Sequence, residues 1–149
     1  MDIKDYKHKI DEVVKFHEVD LMGVCNNAVY FNYFEDARIK YLQDLKVKYN
    51  LKIMEDDSFF IMAHNDCDYI LPASFDDSLE ILTRISEVKN TSFTFSHLVV
   101  NKKTKEIIAK GSGVLVHISL KTKKSLPLPE EFYVALNDFE EGVKVIRSS

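Results

Sequence analysis

The alternation of apolar and polar residues predicts one strand, then a long enclosed helix. The first strand covers residues 9–19, with Val14 and Phe16 on one face. A helix begins at Asn27, in the segment NAVYFNYFEDARIKYLQDL, and Asn26 or Asn27 is its expected cap. The first half of this helix is so apolar that other elements must enclose it.

Four further strands are predicted after this helix, joined by short turns that favour antiparallel neighbours. They cover residues 59–71, 79–86, 93–99 and 106–120. In the last of them, Gly111 and Gly113 share a face, where missing side chains allow close approach by another backbone. The central helix is the element expected to make this approach.

Two prolines open a final predicted helix, at residues 130–146, expected to pack outside the sheet. One enclosed helix followed by a meander of strands is an α+β layout in which the sheet wraps the helix. Such a sheet has edges, and pairing two edges across a two-fold axis protects them. The pattern therefore predicts a dimer.

Composition limits the class of protein. The 149 residues fit a single domain, residues 1–149, and 46% hydrophobic residues can form a core. No apolar stretch is long enough to span a bilayer, and the opening MDIKDYKHKI lacks the apolar core of a signal peptide. We therefore expect a cytoplasmic protein without membrane insertion. A net charge of −4 without a basic block argues against nucleic acid.

Metal and disulfide chemistry are not indicated. Cys25 and Cys67 lie far apart, and the five histidines lack the spacing that gathers ligands around an ion. We expect no metal and no cofactor. Cys25 has no nearby histidine in the sequence, so packing is the favoured interpretation over nucleophilic catalysis.

The junction between the first strand and the helix carries the candidate chemistry. A helix start offers unpaired backbone N–H groups that can hold the oxyanion formed when water attacks a carbonyl. Asp20 lies a few residues upstream, where its carboxylate can activate that water or attack directly. Gly23 lets the turn close. Asp20 alone would more often be a turn or capping residue.

The segment HEVDLMGVCNNAVYFNYFEDAR resembles the opening motif of hotdog-fold acyl-CoA thioesterases of the hydroxybenzoyl-CoA thioesterase type. The similarity continues in DYILPASFDDSLEILTRI, NTSFTFSHLVV, AKGSGVLVHIS and LPLPEEF. The positions that fill the opening motif are Asp20, Gly23, Asn26, Asn27 and Tyr30. The family commonly has other residues at Val24 and Cys25, so the acyl preference does not carry over.

The resemblance implies a hotdog fold whose active site lies between two subunits of a homodimer or a dimer of dimers. It implies an acyl-CoA substrate, with Asp20 as catalytic carboxylate and the backbone N–H of Asn27 at the thioester carbonyl. Gly23, Asn26 and Tyr30 are the expected substrate contacts, and Ser92 is expected to approach the site from the partner subunit.

Other functions and residues stay open at this stage. An acyl-carrier-protein thioesterase would use the same chemistry, and a non-catalytic acyl-CoA binding module would share the fold. A hotdog hydratase ranks last, because residues 27–45 contain no histidine. Tyr30 and Tyr33 fit either an acyl pocket or an aromatic core, and His64 with Asp66 fits an acid/base pair or a solvated face.

Overall fold

The computed structural model describes residues 2–147. Two short 3₁₀ helices, Ile3–Asp5 and Phe16–Glu18, flank the first strand. The remaining elements in chain order are β1 (His8–Val13), α1 (Val29–Tyr49), β2 (Ser58–Tyr69), β3 (Ser78–Val88), β4 (Ser92–Asn101), β5 (Ile107–Ser119), α2 (Glu130–Phe139) and β6 (Lys144–Val145).

The strands form one sheet in the order β1-β3-β4-β5-β2, with every neighbouring pair in this path antiparallel. The short β6 adds to β3 in parallel. The predicted α+β hotdog class, a long helix held by an antiparallel meander, is confirmed. No helix between residues 2 and 147 is both long and apolar enough to cross a membrane.

The core lies between α1 and the middle strands. Tyr41 of α1 meets the Phe95 ring edge-on at 5.3 Å, and the Phe34 ring stacks on His97 of β4 at 4.6 Å. A Cβ atom on Gly111 would collide with the Phe34 ring, so the glycine makes room for the helix. The central helix does approach this glycine as expected, but through the Phe34 side chain and not through its backbone.

A β-bulge at Ala63 decides which residues of β2 face α1. Met62 pairs with Leu115 and His64 pairs with Val114, so Ala63 is an extra residue in β2. Even-numbered Phe60 and Met62 face the helix before the bulge. Odd-numbered residues share that face after it, because Asn65, Cys67 and Tyr69 pair with Gly113, Gly111 and Ala109.

The predicted boundaries at the start of the chain are wrong in two places. β1 ends at Val13, and Phe16 lies 78% exposed in a 3₁₀ turn rather than beside the buried Val14. α1 begins at Val29 with Ala28 as its cap and without a side-chain capping bond. A backbone turn replaces the expected asparagine cap, since the Val29 N–H donates to the Asn26 carbonyl at 3.0 Å.

The C-terminal prediction is also wrong in length and position. The helix ends at Phe139 because Glu140 adopts an extended backbone and its carboxylate accepts the Tyr41 hydroxyl at 2.6 Å. Phe132 of α2 packs 5.1 Å from Phe93 of β4. Since Phe93 and Phe95 share a face of β4, α2 lies on the same side of the sheet as α1 and not outside it.

Candidate active site

A small hairpin carries the chain from the second 3₁₀ helix, Phe16–Glu18, into α1. Val19 and Cys25 form a bridge, and the Asp20 N–H donates to the Val24 carbonyl at 3.0 Å. At its tip the Gly23 N–H donates to the Asp20 carbonyl at 3.0 Å, with φ of +77° at the glycine. A side chain there would be strained, so glycine is what lets this turn close.

Buried hydrogen bonds tie the hairpin to the rest of the protein. The Tyr33 hydroxyl of α1 donates to the Glu18 carboxylate at 2.8 Å, and the Asn26 N–H donates to the Glu18 carbonyl at 2.8 Å. On the other side the Cys25 N–H donates to the Ala73 carbonyl at 2.7 Å. The position of the helix start is therefore fixed from both sides.

Asn27 lies just before the N-terminal end of α1, and at that end of a helix the backbone N–H groups are unpaired. Within residues 2–147 its N–H makes no hydrogen bond, whereas its carbonyl accepts the Tyr69 hydroxyl at 3.0 Å. The positive end of the helix dipole adds to the attraction for an anionic oxygen at this point. The geometry is suited to polarising a carbonyl.

A pocket of about 250 Å³ opens beside this donor. Its lining comes from the hairpin, the start of α1 and the end of β2, namely Val24, Cys25, Asn27, Tyr30, Tyr69, Ile70, Leu71 and Pro72. The walls are mostly apolar, as in sites that exclude water from a reacting group. The structure thus brings the predicted Asn27 and Tyr30 together.

Asp20 lies on the same hairpin but outside the pocket lining. It is exposed, and one carboxylate oxygen accepts the Met22 N–H at 2.8 Å. Val19 faces Cys25 across the hairpin, so Asp20 is displaced from Asn27 by about three residues, or roughly 10 Å along the strands.

Burial disfavours the charged form of the thiol and phenol groups beside the pocket. Burial raises the pKa of the Cys25 thiol and, more strongly, that of the Tyr30 phenol. The pKa of Tyr33 is raised by burial and by its hydrogen bond to Glu18. These groups stay neutral near pH 7, so Cys25 is a poor nucleophile and fits a packing role.

Ser92 and the pair His64 and Asp66 lie away from this pocket in the same chain. Ser92 begins β4 level with Ile61, roughly 25 Å along the sheet from Tyr69. His64 and Asp66 form an exposed pair at 2.8 Å, and Asp66 also accepts the Ser112 hydroxyl at 2.6 Å. This arrangement suits a solvated face of the sheet.

Comparison with protein families decides the relationship of this chain to others. The model of the thioesterase-like superfamily matches residues 14–136, which include the hairpin, α1 and all of the long strands. The chain belongs to the thioesterase-like superfamily. The resemblance carried by HEVDLMGVCNNAVYFNYFEDAR is thereby confirmed.

Individual relatives agree with this membership. The acyl-CoA thioesterase YbgC of Haemophilus influenzae is 27% identical over 124 residues, 83% of this chain and 90% of the relative. A hypothetical protein of Aquifex aeolicus has a similar structure, with a TM-score of 0.75 at 26% identity, covering 86% of this chain and 98% of that one. A 1,4-dihydroxy-2-naphthoyl-CoA thioesterase from Synechocystis shares the fold, with a TM-score of 0.74 at 18% identity and coverage of 89% and 96%.

Two residues of the site were not predicted from the sequence. Glu18 is buried and anchors the hairpin, and Tyr69 ends β2 with its hydroxyl on the Asn27 carbonyl. A signal for Tyr69 was present, since an aromatic residue shortly before Pro72 ends a strand beside the site. Within residues 2–147 no group of three or more histidine, cysteine or acidic side chains is arranged to hold a metal ion.

Proposed function

We propose that this protein hydrolyses acyl-CoA thioesters at the pocket beside Asn27. The observation that carries the proposal is the unpaired N–H of Asn27 in a pocket at the start of α1, with Asp20 on the adjoining hairpin. Membership of the thioesterase-like superfamily supports the reaction class, and the relation to an acyl-CoA thioesterase supports coenzyme A as the carrier.

In the proposed reaction the thioester carbonyl accepts the Asn27 N–H, and Asp20 takes a proton from the attacking water. The water oxygen bonds to the carbonyl carbon, and the negative charge on the carbonyl oxygen is held by that N–H and the helix dipole. The intermediate then expels the thiolate of coenzyme A, which receives the proton from Asp20. Asp20 acts here as a general base.

We also propose that two copies pair through β2. This strand is an edge of the sheet, hydrogen-bonded on one side to β5. It is 12 residues long and leaves Phe59, Ile61 and Met62 more than 40% exposed. A long apolar edge is a template for pairing with another chain. Antiparallel pairing with a second β2 would cover it and give a two-fold dimer.

This pairing would explain the expected role of Ser92. In an antiparallel pair centred on the middle of β2, the end of one strand lies beside the beginning of the other. Ser92 is level with Ile61, near the beginning of β2, whereas the pocket is at Tyr69, its end. The partner subunit's Ser92 would then lie nearer the pocket than the Ser92 of the same chain.

Release of free coenzyme A from acyl-CoA thioesters tests the reaction, with wild type compared to Asp20→Asn. Loss of a general base lowers the rate by about a hundredfold or more. Asp11→Asn is the matched control, because Asp11 is an exposed aspartate on β1 whose contact is a 3.5 Å surface ion pair with Lys102. Equal rates in wild type and Asp20→Asn would remove Asp20 from the mechanism. If the protein turns over only acyl-carrier-protein thioesters, the carrier is the acyl-carrier protein and not coenzyme A.

A further inference from the structure

A second cavity, about 320 Å³ in volume, lies between α1 and β2. Most of its lining is apolar, and the lining residues are Phe31, Asn32, Glu35, Arg38, Ile39, Phe59, Phe60, Met62, Asn65 and Leu115. Its size is at the lower end of small-molecule sites, which span about 300–1,000 Å³. It can hold a modest organic group.

Arg38 is the unusual residue of this cavity. Its side chain is buried, with the residue 4% exposed, and its Nη1 atom has no hydrogen-bond partner in the described part of the chain. No ion pair within 4.0 Å joins its guanidinium to an acid among residues 2–147. Buried charges in proteins are normally paired, because an isolated one is costly.

The guanidinium packs over Gly113 at one side of this cavity. A Cβ atom on Gly113 would lie 3.2 Å from Nη1 of Arg38 and 3.0 Å from the end of Met62, so the missing side chain lets both side chains pack there, and Arg38 lines the cavity beside them. Asn65 reaches the same place, with its side-chain oxygen 3.6 Å from that position. Glu35 also lines the cavity and acts on Arg38 through its charge, but it is exposed to solvent, which weakens its effect.

The cavity is aligned with the pocket at Asn27. After the bulge, Asn65, Cys67 and Tyr69 occupy successive inward positions of β2, so this face of the strand leads from the Arg38 cavity to the pocket. Asn27 and Arg38 are about 16 Å apart along α1 at the usual rise per residue. Helical side chains lean toward the N-terminus, which brings the guanidinium closer to the pocket.

We propose that Arg38 selects acyl groups that carry a carboxylate at the end remote from the thioester. This inference rests on the proposed thioester hydrolysis and adds a substrate class to it. The acyl chain would lie along the apolar wall between α1 and β2, and its terminal carboxylate would accept hydrogen bonds from the unpaired guanidinium. Arginine presents a planar fork that matches a carboxylate.

Adipoyl-CoA and hexanoyl-CoA test this selection, because they have equal chain length and differ in the terminal carboxylate. We expect kcat/KM for adipoyl-CoA to exceed that for hexanoyl-CoA by about tenfold or more in the wild type, the effect of one hydrogen bond to a charged group. In Arg38→Met this ratio falls to about one, whereas Arg38→Lys, which keeps the charge, retains part of it.

Two further variants isolate the cause. Lys40→Met removes an exposed cation from the same helix, where Lys40 pairs with Asp44 at 3.1 Å, and should leave the ratio unchanged. Glu35→Gln removes the nearby negative charge and should raise the ratio. Replacing a buried charge by an apolar side chain often preserves stability, so Arg38→Met is expected to fold. Circular dichroism checks that it does.

A wild-type ratio near one overturns the inference and leaves thioester hydrolysis intact. An unchanged ratio in Arg38→Met does the same. If Arg38→Met instead weakens self-association and the substrate ratio is flat, the cation serves the subunit interface and the inference is wrong. If neither thioester is hydrolysed, the proposed function fails, and the dissociation constants of the two compounds test the selection by Arg38 separately. Equal dissociation constants overturn this selection. A tenfold preference for binding adipoyl-CoA supports it.

Discussion

Two glycines of β5, Gly111 and Gly113, face α1 and admit different side chains in the space left by their missing Cβ atoms. At Gly111 the missing side chain admits the Phe34 ring, which is fully buried and stacked on His97. At Gly113 the missing side chain admits the flexible ends of Met62 and Arg38, which line a cavity, and one Arg38 nitrogen is unpaired within the described residues. The first place is filled by a rigid ring and supports the fold. The second is filled by flexible side chains that border a cavity.

Truncation of Phe34 should give the largest effect on stability. Phe34→Ala removes a ring with 0% exposure and is expected to lower the free energy of unfolding by about 3–5 kcal/mol. Phe31→Ala, on the half-buried cavity side, should cost about 1 kcal/mol. Urea denaturation of the two variants measures the difference. Equal losses would mean that the two sides of α1 are packed alike.

Adding a methyl group at each glycine sharpens the same comparison. Gly111→Ala drives a Cβ atom into the Phe34 ring and should cost about 1–3 kcal/mol, as overpacking does. Gly113→Ala meets the flexible ends of Met62 and Arg38, which can move, so its cost should be smaller. Thermal or urea unfolding ranks the two, and the reverse order would contradict the assignment of a rigid neighbour to Gly111 and flexible neighbours to Gly113.

The acid dependence of stability reports on the place at Gly111, where the Phe34 ring stacks on His97. Burial, and then the charge of Arg38, hold the pKa of His97 well below its ordinary value of 6.5. Below pH 6.5 the unfolded chain therefore binds a proton that the folded protein resists, and stability falls as the pH decreases toward the folded pKa. The slope is at most about 1.4 kcal/mol per pH unit for one group.

The variant His97→Gln removes this contribution and keeps a polar side chain. Urea denaturation between pH 5 and 7.5 should show a shallower loss for the variant below pH 6.5, and the same dependence for both proteins above it. The other histidines are present in both proteins and cancel in the difference. Parallel curves across the whole range would exclude His97 as the source.

The sequence predicts most of the fold because its elements have clear periods. The strands at residues 79–86 and 93–99 alternate with a period of two, apart from Leu82 and Leu98, and the structure places them within β3 and β4. The end of α2 could not be read in this way. It depends on the Glu140 carboxylate reaching Tyr41, 99 residues away, and such a contact leaves no local pattern.

The candidate site divides similarly into local and remote parts. Gly23, Asn27 and Tyr30 lie within one short segment, so a motif can indicate them, although their roles and those of Asp20 and Ser92 remain predictions. Tyr69 lines the pocket, and Arg38 lines the second cavity, through the packing of β2 against α1. An arginine on an apolar helix looks like a solvated residue until its burial and its missing partner are seen.

The extra residue Ala63 sets the phase of β2, much as a one-base insertion shifts a reading frame. Upstream of it the strand presents Phe60 and Met62 to the helix, and downstream it presents Asn65 and Cys67. If Ala63 instead paired regularly with Val114, without the bulge, the two faces of the second half of β2 would be exchanged. The carboxylates of Asp66 and Asp68 would then point at α1, so the bulge at one small residue keeps that wall free of negative charge.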